Sequence, residues 1–317
     1  MGADLKIAVV IPCYRVTDHI LEVIAGIGPE VSGIYVVDDA CPDGSGKFVQ
    51  DQSKDKRLSF IFHEANQGVG GAVISGYKAA FADGADVVVK IDGDGQMNPA
   101  FLEKLLKPIS QSTAGYTKGN RFDNLDELVL MPRIRILGNA MLSLMSKFST
   151  GYWSVTDPTN GFTAISRAAL ESIRLDKVRR SYFFESDMLF RLSLANVPVK
   201  DVSIPALYGD EKSNLKIRKV VSEFFFRHLV NFSKRITYRY YLREWSLPSI
   251  TIPASIILSA LGTITSINSL ILSNQSGSAV TAGQVTFIAL TYLSSLQLAL
   301  AAISYDIGAE PKEWDHS

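Results

Sequence analysis

Three oxygen-bearing side chains follow an apolar stretch near residue 90. In VVVKIDGDGQ, residues 87–96, Asp92, Asp94 and Gln96 stand at alternate positions. Two carboxylates and an amide, separated by glycines that let the backbone turn sharply, can converge on a hard divalent cation. Because Asp-Gly is also ordinary turn chemistry, the stretch by itself supports a metal site and a plain polar turn about equally.

The elements that position these side chains are predicted from hydrophobic periodicity. Short β-branched runs alternate with helical patterns, which indicates βαβ units, a mostly parallel sheet and helices on both of its faces. The predicted strands cover 6–13, 33–39, 58–63 and 85–92, and the predicted helices cover 17–27, a polar segment after residue 39, 69–83 and 99–112.

Polar and glycine residues collect where these strands end. Ligands of such sheets bind beyond the carboxyl ends of the strands, so the position favours a binding site over a plain turn at DGDGQ. The residues in question are Pro12 and Tyr14 after the first strand, Asp38 and Asp39 after the second, 66–71 after the third, and 92–96 after the fourth.

The glycine-rich loop NQGVGGAVISG, residues 66–76, has two interpretations. Its glycines expose backbone amides at a helix start, as a phosphate cradle does. Alternatively, glycine is present for its size, where a helix packs closely on the sheet. The loop lacks the Lys-Ser/Thr pair of a P-loop and follows the third strand rather than the first, so it supports a site only weakly.

The C-terminal region has a different composition. Residues 245–305 contain no Asp, Glu, Lys or Arg, although a fifth of the chain is charged. Two apolar stretches, 247–272 and 284–305, each reach the roughly 20 residues that span a bilayer. A pair of buried core helices is the alternative, but so long an uncharged window is rare in a soluble domain, which favours a transmembrane hairpin.

Basic and aromatic residues precede the first apolar stretch, and basic residues stay on the cytoplasmic side of a membrane. The basic ones are Arg227, Lys234, Arg235, Arg239 and Arg243. The sequence therefore predicts an integral protein of the plasma or inner membrane. Its predicted parts are a cytosolic domain at 1–215, a juxtamembrane amphipathic segment at 216–245, two transmembrane helices within 246–306, and a cytosolic tail at 307–317.

Charge and cysteine content exclude some classes of partner. Lys plus Arg and Asp plus Glu both number 32, so there is no basic excess of the kind that binds nucleic acid. Cys13 and Cys41 are the only cysteines and form no CxxC pair. We therefore expect reduced, buried thiols and no cysteine-held metal.

Seven short motifs occur in the order found in the family 2 glycosyltransferases of the GT-A fold. They are VVIPCYR, VVDDACPDGS, NQGVGGA, DGDGQMNP, KGNRF, DPTNGF and YFFESDML. The chain most resembles the branch of dolichyl-phosphate mannose synthases and bacterial polyprenyl-phosphate glycosyltransferases. The resemblance covers about residues 6–215, and the two apolar stretches match the membrane-anchored members.

This resemblance implies an activity and a set of roles. The activity is that of an inverting, metal-dependent hexosyltransferase that moves a sugar from a nucleotide diphosphate to polyprenyl phosphate, undecaprenyl or dolichyl, at the cytosolic membrane face. The implied roles are base and ribose binding by Pro12, Tyr14 and one or both of Asp38 and Asp39, nucleoside contact by Asp92, binding of Mg²⁺ or Mn²⁺ by Asp94 and Gln96, and catalysis by Asp94, Arg121 and Asp157.

Two departures from the family pattern concern the acceptor. Relatives often read GFR where this chain has Thr163, so an anion-binding arginine is missing there. The segment YGDEKSN, 208–214, matches the family's G-x-S-K element only loosely. The candidates for binding the acceptor phosphate are Arg121, Arg133, Arg135, Lys212 and Ser213.

Several residues keep two interpretations. Asp157 is either a reaction-centre carboxylate or a turn cap before Pro158. Glu185 and Asp187 are either active-site residues or charges at a helix N-terminus. The segment 128–148 is either an interfacial helix that delivers the lipid or a helix packed on the sheet.

Other functions are compatible with parts of the pattern. A family 2 enzyme that extends a lipid-linked oligosaccharide or another envelope glycan would use a hydroxyl acceptor and need a carboxylate base. A nucleotidyltransferase would release diphosphate from a nucleoside triphosphate, and a membrane scaffold would bind no nucleotide. The sequence leaves open the sugar, the base, the lipid length and whether the chain forms a homo-oligomer.

Overall fold

The computed structural model describes residues 5–123, 133–205 and 217–312, without the side chains of 133–135 and 217–221. Packing divides the chain into two units. One comprises the described residues up to Phe232 together with 311 and 312, and the second runs from Ser233 to Glu310. The boundaries that the sequence predicts for the cytosolic domain, the juxtamembrane segment, the transmembrane helices and the tail remain a prediction.

A seven-stranded sheet forms the centre of the first unit within the described residues. Four strand pairs are parallel, and only β6 runs antiparallel to its neighbours β4 and β5. The prediction of a mostly parallel sheet is therefore confirmed. The strands are β1 Ile7–Cys13, β2 Val31–Asp38, β3 Leu58–Phe62, β4 Val87–Lys90, β5 Tyr116–Asn120, β6 Thr163–Ser166 and β7 Val199–Ser203, in the spatial order β3-β2-β1-β4-β6-β5-β7.

Helices connect these strands, and the first four agree with the sequence prediction to within a few residues. A 3₁₀ turn, Pro99–Phe101, leads into the fourth helix, and a π-helical turn, Tyr238–Arg243, follows the eighth. The helices are α1 Ile20–Ala25, α2 Ser45–Gln52, α3 Val69–Ala82, α4 Leu102–Ser110, α5 Arg133–Thr150, α6 Arg167–Glu171, α7 Phe184–Leu194, α8 Ile217–Thr237, α9 Leu247–Ser276 and α10 Ala282–Gly308.

Two hydrophobic cores lie on the two faces of the sheet. Val9 and Val10 are neighbours in β1 and point to opposite faces, as successive strand residues do. Val10 packs in the core with Tyr77 of α3 and residues of α7. Val9 packs in the other core with residues of α1 and with Leu105 of α4. Helices thus cover both faces, as predicted.

The two cysteines are free thiols. Cys13, at the end of β1, is 1% exposed, and burial raises its pKa well above the ordinary value. Cys41 is half-buried and lies 3.2 Å from the hydroxyl of Ser45. Burial is therefore complete for only one of the two thiols that we expected to be buried.

The second unit contains two long apolar helices. α9 and α10 have mean hydropathies of 1.8 and 1.7 in their most apolar stretches, of which only 17% and 11% is buried. Both helices are long and apolar enough to cross a membrane. Ser255 and Ser295 exchange hydrogen bonds with each other's backbone carbonyls at 2.9 and 2.8 Å, so the two helices pack as a hairpin.

A buried ion pair joins the C-terminal part of α8 to α10. The Arg235 guanidinium donates to both carboxylate oxygens of Asp306, at 2.6 and 2.9 Å, and the Tyr240 hydroxyl donates to the same carboxylate. Arg235 is fully buried. One of the basic residues that we expected near the membrane surface is therefore internal, because Asp306 just beyond the uncharged window pairs with it.

Gly76 provides a test of packing between α3 and the sheet. A Cβ atom there would lie 2.3 Å from Cγ1 of Val10, which is fully buried and β-branched. We expect Gly76→Ala to lower the unfolding temperature, because overpacking costs about 1–3 kcal/mol. Gly138→Ala is the control, since a Cβ in that helix meets nothing within 4 Å. It should raise the unfolding temperature slightly through helix propensity. Equal effects of the two substitutions in a thermal melt would contradict this account.

Candidate active site

A cavity of about 870 Å³ lies at the carboxyl ends of the parallel strands β1, β2, β3 and β4. This is the edge at which the sequence predicts a site. The cavity is lined by residues 12–14 and 16 at the end of β1, Asp39 after β2, 66–69 and 72 after β3, 92–94 after β4, and 180–182 before α7.

The structure brings together five of the residues singled out from the sequence. Pro12, Tyr14, Asp39, Asp92 and Asp94 all line this cavity, and the Tyr14 side chain is 45% exposed. Asp38, Gln96, Arg121 and Asp157 are described but are not among the lining residues. The roles expected for all of these residues remain predictions.

Asp38 holds the loop that follows β2. Its Oδ1 accepts a hydrogen bond from the backbone amide of Cys41 and its Oδ2 accepts one from the amide of Gly46, both at 2.7 Å. The residue is 5% exposed. The observed contacts of Asp38 therefore position the loop between β2 and α2.

Asp39 connects the end of β2 to the glycine-rich loop. Its Oδ1 accepts from the amide of Gln67 at 2.8 Å and lies 2.7 Å from Nδ1 of His63. Its Oδ2 accepts from the amide of Gly68 at 2.8 Å. The other ring nitrogen of His63, Nε2, lies 2.9 Å from the hydroxyl oxygen of Ser75. Because an ionised carboxylate accepts about four hydrogen bonds, Asp39 retains capacity for one donor from a ligand.

The contacts of the glycine-rich loop favour packing over a phosphate cradle. The amides of Gln67 and Gly68 donate to Asp39, and the amide of Gly70 donates to the carbonyl of Arg180 at 3.0 Å. A Cβ on Gly70 would lie 2.6 Å from the carbonyl oxygen of Arg179. Glycine is therefore required here by close approach of the segment before α7, and these three amides are already used within the chain.

The DGDGQ turn has the geometry expected of its glycines. Gly95 has a φ of +78°, a conformation that favours glycine. This bend lets the amide of Gln96 donate to Oδ1 of Asp94 at 3.0 Å. The backbone of Gln96 is thus held beside the Asp94 carboxylate, directly after β4.

The donor set at this turn fits a divalent metal that arrives with a phosphate ligand. Within the described residues there is no cluster of three or more His, Cys, Asp or Glu side chains suited to a metal. Mg²⁺ commonly takes one or two protein carboxylates and completes its shell with substrate phosphates and water. Asp94 carries one carboxylate and Gln96 one amide oxygen, so the turn suits a shared site better than a closed protein cage.

A buried lysine that the sequence interpretation missed lies behind the cavity. Nζ of Lys90 is 3.0 Å from Oδ1 of Asp92 and 3.0 Å from Oε1 of Glu185, and its side chain is 1% exposed. Burial by itself would lower the pKa of Lys90, but the two carboxylates outweigh it and raise the pKa above the ordinary value. The detectable signal was a lysine in an otherwise apolar strand, since a buried ammonium requires a partner.

The two acidic residues of α7, Glu185 and Asp187, make different contacts and therefore have different roles. Glu185 lies in the first turn of that helix and also reaches the site through Lys90. Asp187 instead accepts from the amide of Arg179 and from the Arg191 guanidinium, both at 2.9 Å. Asp187 therefore anchors the segment before α7, whereas Glu185 belongs to the charge network of the cavity.

Arg121 and Asp157 form a two-point ion pair. The Arg121 Nε and Nη2 atoms donate to the two oxygens of Asp157, at 2.8 and 3.1 Å. Asp157 is fully buried, whereas the Arg121 side chain is 30% exposed. Pairing of both carboxylate oxygens with a guanidinium favours an ion-pair role for Asp157 over a turn cap.

A second buried lysine lies near this pair. Lys118 of β5 is fully buried and donates to the carbonyl of Asn160. Burial lowers its pKa to about 8, against the opposing attraction of Glu185 and Asp157. Thr163 of β6 stands in register between Lys90 and Lys118. The buried cations at this level of the sheet therefore come from the strands on either side of Thr163, the position at which the family resemblance implies an arginine.

The segment before α7 was also missed as part of the site. Arg180, Ser181 and Tyr182 line the cavity, and the Arg180 guanidinium donates to the side-chain oxygen of Gln67 at 2.7 Å. Of these three residues only Tyr182 belongs to the YFFESDML motif. The feature of the sequence that could have indicated this wall of the cavity is the pair of arginines at 179 and 180. The acceptor candidates Lys212 and Ser213, and the side chains of Arg133 and Arg135, lie outside the described residues.

Comparison with known proteins agrees with this architecture. The family model described as Glycosyl transferase family 2 matches residues 8–174. The chain is 32% identical over 219 residues to the UDP-N-acetylglucosamine–dolichyl-phosphate N-acetylglucosaminyltransferase of Methanococcus voltae, which covers 63% of this chain and 87% of that protein. It is 29% identical over 204 residues to the undecaprenyl-phosphate mannosyltransferase of Micrococcus luteus, which covers 63% and 83%.

Solved structures give the same fold. The glucosyl-3-phosphoglycerate synthase of Mycobacterium tuberculosis, in complex with Mn²⁺, uridine diphosphate and glucosyl-3-phosphoglycerate, superposes with a TM-score of 0.54 at 19% identity. The match covers 73% of this chain and 80% of that one. At this identity the likeness concerns the fold. Because the family model covers more than half of the 317 residues, the chain belongs to glycosyl transferase family 2.

Proposed function

We propose that this chain transfers a sugar, with inversion, from a nucleotide diphosphate to polyprenyl phosphate at the cytosolic face of a membrane. The observation that carries the proposal is the cavity that gathers Tyr14, Asp39, Asp92 and Asp94 at the carboxyl ends of the strands. The names of the Methanococcus voltae and Micrococcus luteus relatives support a polyprenyl-type phosphate as the acceptor.

The donor side of the proposal rests on the shape and polarity of the cavity. Tyr14 offers an exposed aromatic ring to the base, and Pro12 lies beside it at the end of β1. Asp39 offers its remaining hydrogen-bonding capacity to the nucleoside, and Asp38 supports the adjoining loop. Asp92 faces the nucleoside side of the diphosphate.

Asp94 and Gln96 would hold a divalent metal, Mg²⁺ or Mn²⁺, that neutralises the leaving diphosphate as a Lewis acid. The remaining chemistry falls to charged side chains of the chain. A lipid phosphate oxygen is already largely anionic near neutral pH, so a strong general base is unnecessary. Arg121, fixed at two points by Asp157, would orient that anion for a single in-line displacement, which inverts the anomeric carbon.

The exposed side chains of α5 support the proposal that the acceptor is a lipid. Leu137, Met141 and Leu144 are 60%, 53% and 45% exposed, whereas Ser146 and Ser149 of the same helix are buried. An apolar face turned outward and a hydroxyl face turned inward reverse the usual pattern of a soluble helix. For residues 136–148, the part of segment 128–148 whose side chains the structure describes, this reversal favours the interfacial interpretation, and it suits an enzyme whose acceptor stays in the bilayer.

The direct test supplies isolated membranes that contain the protein with radiolabelled UDP- and GDP-sugars and with polyprenyl phosphate. We expect one labelled lipid, whose formation requires the added phosphate. Label that enters only longer lipid-linked glycans would instead support the glycan-extending enzyme. Release of diphosphate from a nucleoside triphosphate and a sugar phosphate would support a nucleotidyltransferase.

Metal dependence follows from the ligands on the DGDGQ turn. We expect Asp94→Asn to lower transfer by about 10²-fold, because the leaving diphosphate loses an oriented counter-charge. Asp55→Asn is the matched control, because Asp55 pairs with Arg57 just before β3, at the opposite ends of the strands. Label transfer and thermal melts on both variants make the comparison. Full activity of the parent in the presence of a chelator would rule the metal out.

Arg121→Ala tests the acceptor role. Transfer should fall by about 10²-fold while nucleotide affinity, measured by calorimetry on the same preparation, stays at the parental value. A fall in both transfer and nucleotide affinity would assign Arg121 to the donor site. A fall in neither would remove Arg121 from the mechanism. Because the substitution leaves Asp157 without this guanidinium, Arg121→Ala/Asp157→Ala is the control. Restored transfer in that double variant would mean that the defect was structural.

Topology is tested with tags at residues 2 and 317 and at Ser276, near the end of α9. The positive-inside rule predicts that both terminal tags are cytosolic and that the tag at 276 lies across the membrane. Protease protection of sealed vesicles of known orientation distinguishes them. A terminal tag on the far side would contradict the hairpin.

A further inference from the structure

We propose that Lys90 and Glu185 are positioning residues for the nucleotide: the buried Lys90 ammonium, held by Glu185, fixes the carboxylate of Asp92 at the cavity wall. Nothing in the family motifs assigns a role to Lys90. The proposal rests on the proposed function in one respect, which is that Asp92 contacts the nucleotide donor. It adds the ion pairs of Lys90, which determine where Asp92 lies at the cavity wall.

The three charges form a chain that runs from the protein interior to the cavity. Lys90 is 1% exposed, and its Nζ lies 3.0 Å from one oxygen of each carboxylate. Glu185 is 11% exposed and Asp92 is 28% exposed. Oδ1 of Asp92 is buried and lies 3.0 Å from the lysine ammonium, whereas other atoms of the Asp92 side chain are exposed and the residue lines the cavity. The lysine therefore holds one oxygen and leaves the other side of the carboxylate for a ligand.

Gly161 covers this arrangement and limits its movement. A Cβ at Gly161 would lie 2.4 Å from Nζ of Lys90 and 2.5 Å from Oδ2 of Asp92. The backbone of the NGF motif thus passes directly over the ion pair, which leaves the two side chains little room for another rotamer. Met97 adds a further contact, because the amide of Asp92 donates to its sulfur at 3.3 Å.

Glu185 links this pair to another wall of the cavity. It lies in the first turn of α7, directly after the segment 180–182 that lines the cavity. The contact between Lys90 of β4 and Glu185 of α7 therefore connects two walls of the cavity. The two residues are 95 positions apart in the sequence. We infer that the ammonium sets the distance between Asp92 and the segment before α7.

Removing the charge of Glu185 should release this constraint. With a glutamine at 185, Lys90 keeps one anionic partner, Asp92, and its ammonium loses the second anion that holds it in place. The ammonium then no longer defines the position of the Asp92 carboxylate at the cavity wall, so that carboxylate is less well placed for a ligand. Glu185→Gln should therefore weaken nucleotide binding through Asp92, without itself touching the nucleotide.

A double-mutant cycle on the full-length protein in detergent tests this coupling. UDP and GDP, each with Mn²⁺, are titrated by calorimetry into the parent, Glu185→Gln, Asp92→Asn and the double variant. For the nucleotide that the parent binds more tightly, Glu185→Gln should lower affinity about tenfold in the parent and less than about twofold in the Asp92→Asn background. Equal weakening in both backgrounds, or no weakening in the parent, overturns the proposal.

Two controls separate positioning from folding. Asp55→Asn makes the same carboxylate-to-amide change beside Arg57, at the opposite ends of the strands, and should leave nucleotide affinity unchanged. Steady-state transfer should show a raised donor KM for Glu185→Gln with an unaltered KM for the lipid phosphate, whereas general loosening of the fold would alter both. Glu185→Gln is preferred to Lys90→Met because it preserves shape and leaves no buried carboxylate unpaired.

The binding measurement also separates this proposal from the proposed function. If the parent binds nucleotide and the cycle shows coupling, but no lipid is labelled, the acceptor assignment fails and the positioning role stands. If lipid is labelled and the cycle shows no coupling, the positioning role fails alone. Failure of the parent to bind either nucleotide overturns both.

Discussion

A carboxylate that is taken out of water must be given a partner, and this constraint shapes the ligand-binding edge of the sheet. Asp38 receives two backbone amides, and Asp39 receives two amides and a histidine. Asp92 receives the ammonium of Lys90, and Asp157 receives the guanidinium of Arg121. Asp39 and Asp157 take their partners from distant segments, so satisfying these two charges also connects separate loops. The cavity is consequently assembled by the same interactions that make its acidic residues tolerable in the fold.

Such an arrangement suits transfer between two anions. When the acceptor is itself a phosphate, the reaction needs little proton chemistry and depends instead on placing charges at fixed distances around one anomeric carbon. Rigidly paired side chains supply this because they need little reorganisation during the reaction. Arg121, whose side chain is 30% exposed and is held at two points by a buried carboxylate, is the clearest example. The outward apolar face of α5 and the two long C-terminal helices fit an acceptor that remains in a membrane.

The sequence predicted features that depend on neighbouring residues. The strand and helix positions follow from local periodicity, and the DGDGQ turn follows from glycines that permit its geometry, as the φ of +78° at Gly95 confirms. Contacts between distant segments were not predictable in this way. Lys90 and Glu185 are 95 residues apart, and Arg235 and Asp306 are 71 apart. The two interpretations of the glycine-rich loop likewise separated only once the partners of its amides were known, in particular the carbonyl of Arg180.

We propose that the cavity beside β4 binds a nucleotide diphosphate through a metal held by Asp94 and Gln96. The most direct measurement is a crystal structure of the full chain with nucleotide and Mn²⁺, with anomalous data to locate the metal. We expect one anomalous peak within bonding distance of the side-chain oxygens of Asp94 and Gln96, and the nucleotide in the cavity with its base beside Tyr14. A peak elsewhere, or a nucleotide bound outside this cavity, would contradict it.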